Sequence, residues 1–167
     1  MSCKVYRRSA LAAAAVLTLA AALPAPADAA CTKNAAADEA AIRKALSSYQ
    51  DALNGSSTAS VLPLYAEDGV FMPPYSQSAV GKAAVQQAYD AVFKAITLHV
   101  KFTVAELVEM APNWAFVRTN SAGTNKVNAT GATSAEANQE LFIFHKGDDC
   151  AWRIARYSFS TTNPPKG

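Results

Sequence analysis

The sequence predicts an α+β domain in which helices come first and an antiparallel sheet follows. Two changes along the chain support this prediction. Apolar residues recur every three to four positions up to about residue 96 and then at every second position, and Val, Phe, Thr, Ile and Tyr become frequent in the second part. Helices followed by consecutive strands pack with their apolar stripes against one face of the sheet. A chain of 167 residues, 51% of them hydrophobic, fits one such domain.

The first thirty residues have the pattern of a secretory signal peptide. Three basic residues precede an apolar run at 10–23, and small residues follow it. The run is too short and too alanine-rich to span a bilayer, which takes roughly 20 strongly apolar residues. Small residues at Ala27 and Ala29 place cleavage after Ala29, and a cut one residue later fits nearly as well. The sequence therefore predicts a signal peptide at 1–29 and a secreted or periplasmic domain at 30–167.

Removal of this leader leaves a domain without net charge. Its basic and acidic residues number 12 each, against 15 and 13 in the whole chain. A neutral domain without a Lys/Arg run has no electrostatic attraction for nucleic acid or for an anionic membrane surface. The sequence therefore predicts neither partner and favours a small molecule or another protein.

Two cysteines, Cys31 and Cys150, remain after leader removal. An even pair in an oxidising compartment predicts a disulfide between them. A lipid anchor on Cys31 is the alternative, because a cysteine just after a leader is a lipoprotein acceptor. Asp28 disfavours it, since lipoprotein signals resemble one another in having an aliphatic residue at that position.

The first predicted helix covers residues 38–53. Apolar residues at offsets of four, three and four share one of its faces. They are Ile42, Leu46, Tyr49 and Leu53. Asn54–Gly55 then supplies a suitable C-terminal stop.

A second, short helix is predicted to begin in the serine and threonine cluster at 56–58 and to run through Tyr65. A turn at 68–69 ends it, and a short strand at 70–72 follows, stopped by two prolines. Gly81 opens a third helical segment, which has an apolar stripe of its own. The three helices are expected to cover one face of the sheet.

Four consecutive antiparallel strands are predicted after the helices. They are expected at 98–110, 114–127, 138–146 and 152–161. The small, polar residues at 125–137 indicate a long hairpin loop between the middle two strands. Leu141 and Ile143 alternate with Phe142 and Phe144, so this sheet is apolar on both faces. The face without helices needs a second cover, which predicts a homodimer.

No metal site and no cofactor are predicted from the residue types. A zinc site takes three or four convergent ligands, and the remaining cysteines form a pair. His99 and His145 stand beside lysines at the start and end of strands and are expected to be exposed. Adjacent acids at 67–68 are expected to be solvated. No glycine-rich phosphate loop and no nucleophile motif is visible.

Three strings and their order resemble a known family. They are LYAEDGVFMPP at 64–74, VGK at 80–82 and WRIARY at 152–157. Together they resemble the SnoaL-like branch of the nuclear-transport-factor-2-like superfamily, with the cystatin-like fold, and most of all its SgcJ/EcaC-type group. The resemblance runs from about residue 38 to 165. It implies a curved antiparallel sheet wrapped around three N-terminal helices, usually dimeric, which forms a cone with an apolar pocket in its mouth.

The superfamily includes ketosteroid isomerase, polyketide cyclases, epoxide hydrolases, scytalone dehydratase and non-catalytic association domains, so the fold alone does not name the chemistry. The isomerase has an aspartate as general base just before a proline in the short strand after the second helix. Here Met72 or Pro73 stands at that position. The His and Asp pair of the dehydratase has no obvious counterpart either. The resemblance therefore leaves open whether this chain is an enzyme.

Arg118 is the strongest candidate for ligand binding. The string at 114–120 is similar to the association domain of calmodulin-dependent kinase, where the matching arginine points into the cavity. Alternation places Phe116 and Asn120 on the same face as Arg118. An arginine within an apolar strand needs an ion partner or a water-filled space. It is therefore either an anion receptor or the partner of Glu140 or Glu106.

Other candidate residues around the cone are expected from the same resemblance. They are Tyr157 on the strand that neighbours Arg118, and Tyr49, Met72 and Tyr75 around the walls. Tyr49 stands where the isomerase has the tyrosine of its oxyanion hole, although core packing, with its hydroxyl at the pocket floor, is the favoured role. Glu140 faces either the cone or the opposite side.

Two functions are consistent with these observations. The first is an exported SnoaL-like domain that binds a small, mostly apolar molecule in its cone, with an anionic group against Arg118 as one option and with cyclase, isomerase or hydrolase chemistry undecided. The second is a homodimeric interaction or assembly module whose pocket is vestigial. The sequence does not identify the ligand or the pathway.

Overall fold

The computed structural model describes Cys31 and residues 34–164, so the predicted signal peptide lies outside the described residues. Three helices and six strands follow one another along this part of the chain. They are α1 (Ala35–Asn54), α2 (Thr58–Val61, continued by a 3₁₀ turn at Leu62–Leu64), β1 (Tyr65–Met72), β2 (Ala79–Val80), α3 (Lys82–Ala95), β3 (Ile96–Ala111), β4 (Trp114–Val127), β5 (Thr133–Lys146) and β6 (Trp152–Thr161). None of the described helices is long and apolar enough to cross a bilayer.

Helix α1 begins earlier than the apolar pattern predicts because its cap lies upstream. The Asn34 side chain accepts a hydrogen bond from the Ala37 amide at 3.1 Å, and Asp38 accepts one from the Asn34 amide at 3.3 Å. These reciprocal bonds satisfy amides that a helix start leaves without partners. The predicted apolar stripe is confirmed, and all four of its residues are buried.

The second helix is shorter than predicted, and the first strand is longer. Ser57 caps α2, as the serine cluster indicates. The chain is already extended at Tyr65, which pairs with Ile154 of β6. Residues 68–69 therefore lie inside β1, at an irregularity in its pairing, instead of ending a helix. Tertiary pairing with β6 overrides the local turn signal.

Helix α3 begins directly after Gly81, as predicted. Gly81 has φ of +80°, a conformation that other residues adopt only with strain. Its amide donates to the carbonyl of Gly69 at 2.8 Å, which fixes the start of α3 beside β1. The buried residues Val85 and Tyr89 then face the sheet.

The curved, unclosed sheet has the strand order β2-β1-β6-β5-β4-β3. The four long strands are consecutive and antiparallel, which confirms that prediction. Strand β1 adds a parallel neighbour to β6, and β2 pairs with β1. The last of the described strands, β6, thus lies inside the sheet and not at its edge.

The long hairpin loop predicted at 125–137 is wrong. Strands β4 and β5 remain paired as far as Lys126 and Thr133, and only 128–132 connect them. Backbone pairing does not require apolar side chains. Here polar side chains support it, since the Asn125 amide donates to Glu136 across the two strands at 2.8 Å.

Two links fasten the start of α1 to the last hairpin. The predicted disulfide is present, with a sulfur–sulfur distance of 2.03 Å between Cys31 and Cys150. One turn into α1, the buried Asp38 accepts hydrogen bonds from Lys146 at 2.6 Å and from the Trp152 indole at 2.8 Å. Burial raises the pKa of the Asp38 carboxyl, but these donors outweigh burial and hold that pKa below its ordinary value.

Candidate functional site

A cavity of about 130 Å³ lies between α1, α3 and the inner, helix-facing side of the sheet. Sixteen residues line it. They are Tyr49, Leu53, Phe71, Pro73, Tyr89, Val92, Ile96, Leu98, Val100, Phe102, Ser121, Glu136, Asn138, Glu140, Tyr157 and Phe159. An engineered apolar cavity of about 150 Å³ binds benzene. A single small ring therefore fits inside, and a larger molecule must project from the opening.

Aromatic side chains form much of the wall. Phe71 of β1 lies against Tyr157 of β6 with ring centres 5.6 Å apart, and Phe159 packs against both rings, 5.6 Å from Tyr157 and 6.3 Å from Phe71. Tyr49 of α1 meets Tyr157 edge-on at 5.5 Å. The parallel pairing of β1 with β6 places these rings together, because Phe71 and Tyr157 are register partners. The wall is consequently rigid and apolar.

Three buried tyrosine hydroxyls form a hydrogen-bonded chain behind and along this wall. The Tyr89 hydroxyl contacts the hydroxyls of Tyr49 and Tyr65, the latter at 2.9 Å. Burial raises the pKa of all three well above the ordinary value, so each remains protonated at neutral pH. The Tyr49 hydroxyl also interacts with that of Tyr157, and burial raises the pKa of Tyr157 in the same way.

Glu140 is the buried acid of the cavity. It is 5% exposed on the inner face of β5, and its carboxyl accepts hydrogen bonds from Thr119 at 2.5 Å and from Ser121. Thr119 is its register partner on β4. Burial raises the pKa of Glu140, and the two hydroxyl donors only partly oppose this effect. The carboxyl is therefore a candidate proton donor or acceptor for a bound molecule.

Two further polar residues extend the same wall along β5. Alternate residues of a strand share a face, so Glu136 and Asn138 follow Glu140 on the inner side. The Asn138 amide donates to Glu136 at 2.8 Å, and Asn125 donates to the other oxygen of the same carboxylate. One wall of an otherwise apolar cavity thus presents three acceptor-bearing side chains in a row.

The predicted orientation of Arg118 is wrong. Arg118, Phe116 and Asn120 lie on the outer face of β4 and do not line the cavity. The Arg118 guanidinium is 60% exposed and pairs with Glu106 at 3.1 Å. The inner positions of β4 hold small side chains instead, and Ala115, Val117, Thr119 and Ser121 are buried there. Of the two roles considered, the ion pair with Glu106 is the one present.

The structure brings two of the predicted wall residues into the cavity and leaves two out. Tyr49 and Tyr157 line it, whereas Met72 and Tyr75 do not. Phe71, one position earlier, takes the inward place on β1, and Tyr75 is fully exposed in the loop after that strand. Strict alternation along β6 would place Arg153 on the inner face together with Tyr157. A β-bulge between these two residues shifts the alternation, so Tyr157 faces inward and Arg153 faces outward.

Sequence reasoning identified Glu140 without assigning its face and did not single out Ser121 and Asn138. Their signal was present in β4 and β5, where Thr119 and Ser121 alternate with the outward Arg118 and Asn120. A buried carboxyl needs donors, and two hydroxyls on the neighbouring strand supply them. In the described part of the chain, no three His, Cys, Asp or Glu side chains converge as metal ligands.

Comparison with known proteins places this geometry in a family. The family model of the SnoaL-like domain matches residues 46–157. The solved structure of a ketosteroid isomerase-like protein from Erwinia carotovora atroseptica is 35% identical to this chain, with a TM-score of 0.72, and the match covers 75% of this chain and 96% of that one. A comparison with curated proteins finds no match.

More distant structures share the fold. A nuclear transport factor 2-like superfamily protein from Salmonella enterica serovar Typhimurium is 14% identical, with a TM-score of 0.69 over 80% of this chain and 96% of its own. A hexachlorocyclohexane dehydrochlorinase is 10% identical, with a TM-score of 0.69 over 77% of this chain and 87% of its own. The family match, which spans most of the described cone, identifies this chain as a member of the SnoaL-like domain family.

Proposed function

We propose that this chain is an exported domain that binds a small, mostly apolar molecule in its conical cavity. The observation that carries the proposal is the cavity itself, in which aromatic and aliphatic walls surround a buried carboxyl and tyrosine hydroxyls. Ligand sites are typically apolar pockets with a few placed polar groups. The Cys31–Cys150 disulfide supports export, because disulfides persist in oxidising compartments.

The charges of the cavity argue against an anionic ligand. Arg118 lies on the other side of the sheet, and no Lys, Arg or His among the described residues lines the cavity. The ionisable lining residues are two glutamates and three tyrosines. A carboxylate or phenolate ligand would meet like charge in a water-poor space. The ligand of this proposal is therefore neutral or cationic.

The same set of groups defines which chemistry the cavity supports. The general-base position of ketosteroid isomerase holds Met72 or Pro73 here, so Glu140 is the buried acid available for proton transfer. A carboxyl whose pKa burial raises exchanges protons nearer neutral pH than an ordinary one. Proton transfer at Glu140, aided by a hydrogen bond from a neutral tyrosine, is the reaction class that this geometry supports.

Recovery of bound molecules tests the binding proposal. The mature protein is incubated with a metabolite extract, purified and examined by native mass spectrometry. We expect a small adduct on the wild type and none on Leu98→Trp, because Leu98 lines the cavity and a larger ring there fills it. Thr103→Trp is the matched control, since Thr103 is exposed on the outer face of the same strand. An adduct retained by Leu98→Trp would contradict the proposal.

A homodimer through the outer face of the sheet is a second proposal. Exposed apolar residues on that face motivate it, namely Val108, Met110 and Leu141, each at least 40% exposed. The Arg118–Glu106 pair stands beside Leu141 on the same face, so the patch carries both signs, which two copies related by a two-fold axis can pair with each other.

Light scattering checks the dimer at tens of micromolar protein. Such a dimer should bury more than roughly 1,000 Å². If the dimer forms and the protein shows no adduct that Leu98→Trp removes, the chain is an assembly module with a vestigial pocket.

A further inference from the structure

One acceptor in the cavity wall has no partner among the described residues. Asn138 is 8% exposed, and its Oδ1 makes no hydrogen bond. Its orientation is fixed, because the side-chain nitrogen donates to Glu136 at 2.8 Å and the reverse orientation would place two acceptors together. A buried acceptor left without a donor destabilises the folded protein. The position therefore fits a donor supplied by a ligand.

The carboxyl next to Asn138 on the same face also has acceptor capacity left. Each oxygen of Glu140 receives one hydroxyl hydrogen bond, from Ser121 or from Thr119. A carboxylate oxygen accepts about two hydrogen bonds, so both oxygens keep a free position. With Glu136 further along the strand, two carboxyl groups line a cavity that no basic side chain of the described residues lines. The charge of this wall is complementary to a cation.

The opposite walls suit the body of an organic cation. Six of the sixteen lining residues are aromatic. Aromatic faces attract ammonium groups, and aromatic enclosures recognise organic ammonium ions in other proteins. A protonated amine brings three N–H donors, enough for Asn138 Oδ1 and for Glu140 together.

We propose that the cavity binds a primary ammonium ion carried on a small apolar or aromatic skeleton, with its N–H groups directed at Asn138 Oδ1 and the Glu140 carboxylate. This inference rests on the proposed function, since it names the class of molecule that occupies the same cavity. The volume of about 130 Å³ limits the buried part to one ring with a short aminomethyl arm. An ordinary hydrocarbon would leave Asn138 unpaired.

Four matched probes separate charge, hydrogen bonding and shape. Benzylamine, benzyl alcohol, toluene and benzoate are titrated into the mature, disulfide-bonded protein by calorimetry at pH 7. We expect benzylamine to bind at least about tenfold more tightly than benzyl alcohol, which donates one hydrogen bond without charge. Toluene should bind more weakly than benzyl alcohol, and benzoate weakest of all. Equal binding of benzylamine and benzyl alcohol would overturn the role of charge, and with it the inference.

Variants assign the preference to the two acceptors. Glu140→Gln keeps the volume and removes the charge, and Asn138→Leu removes the unpaired acceptor. Each should weaken benzylamine about tenfold or more and leave toluene unchanged. Asn120→Leu, on the exposed outer face of β4, is the matched control and should change neither. Circular dichroism checks folding, and Glu140→Gln decides the question if Asn138→Leu does not fold.

The outcomes distinguish this inference from the function on which it rests. Binding of toluene as tight as that of benzylamine, or a benzylamine preference that persists in Glu140→Gln, refutes the ammonium assignment and leaves an apolar ligand site. A preference for benzoate refutes it equally. If none of the four probes binds and no molecule is recovered from an extract, the cavity has no ligand of this size and the proposed function fails as well.

Discussion

The two faces of the sheet at β3, β4 and β5 carry similar polar residues in different surroundings. Glu140 points inward, is almost fully buried and is held by two hydroxyls, whereas Glu106 lies outside in an exposed pair with Arg118. Asn138 lines the cavity, and Asn120 lies on the solvent side. Residue type alone therefore does not identify the site in this sheet. The face that a residue occupies decides whether its polar group is solvated or available to a ligand.

The largest difference between the two faces in the free energy of unfolding is expected when an ion pair is broken. Asp38→Ala leaves Lys146 buried without a counter-charge, and removal of one partner from a buried pair typically destabilises by about 3–5 kcal/mol. The outer pair is solvated, so Glu106→Gln should change stability by about 0–1 kcal/mol. Urea unfolding of both variants measures the contrast. Equal losses would show that burial does not separate the two pairs.

Removal of a hydroxyl group should also cost more stability on the inner face than on the outer face, but less than removal of a buried ion-pair partner. Thr119→Val keeps the shape and removes a donor from the buried Glu140, which should destabilise by about 1–3 kcal/mol. Ser160→Ala removes an exposed hydroxyl that accepts from Gln139 on the outer face, and its effect should stay within about 0.5 kcal/mol. Thermal unfolding checks both. A neutral Thr119→Val would mean that Glu140 needs no donor there.

The pH dependence of stability sharpens the description of Glu140. Its folded-state pKa is raised above the ordinary 4.5, so its contribution to stability is fully present below that pH and is lost as pH rises through the folded value. Glu140→Gln does not titrate. The unfolding free energy of the wild type minus that of Glu140→Gln should therefore fall as pH rises above about 4.5. Asp38, with a lowered pKa, loses its contribution on acidification in both proteins, so it cancels in the difference. A difference that rises with pH would contradict the raised pKa.

The smallest effect on folding is expected on the apolar part of the outer face. Leu141→Glu places a charge at an exposed position and should leave the unfolding free energy within about 0.5 kcal/mol of wild type. In the proposed dimer the same change puts like charges across the interface, so light scattering should show monomer. Gln86→Glu, at an exposed position of α3 away from this face, is the control. An unchanged mass for Leu141→Glu would remove this surface from the dimer proposal.

Much of the fold was predictable because its signals are local. The stripe of α1, the cap at Ser57 and the glycine at the start of α3 each depend on neighbouring residues. The boundaries of β4 and β6 agree with prediction to the residue. The early start of β1 was missed because its evidence is the distant partner Ile154, which the local sequence does not reveal.

The site was less predictable because it depends on which face turns inward. Alternation correctly grouped Arg118 with Phe116 and Asn120, but a period of two does not say which group faces the helices. The similarity to the kinase domain supplied the wrong choice. The hydroxyls of Thr119 and Ser121 indicate the correct face, because a buried Glu140 needs the hydrogen bonds that they donate. The bulge beside Tyr157 leaves no clear mark in the sequence.

The interior position of β6 determines when the sheet can form during synthesis of the chain. Among the described strands β6 comes last in the chain, yet it separates β1 and β2 from β5, β4 and β3 in the sheet. Until it emerges, Phe71 lacks Tyr157, and neither the cavity nor the continuous sheet exists. Pairing between strands so far apart in sequence makes folding slow, because a long loop must close first. A chain that stops short of Trp152 therefore leaves two parts of the sheet unconnected. Their unpaired strand edges are accessible to proteases and chaperones.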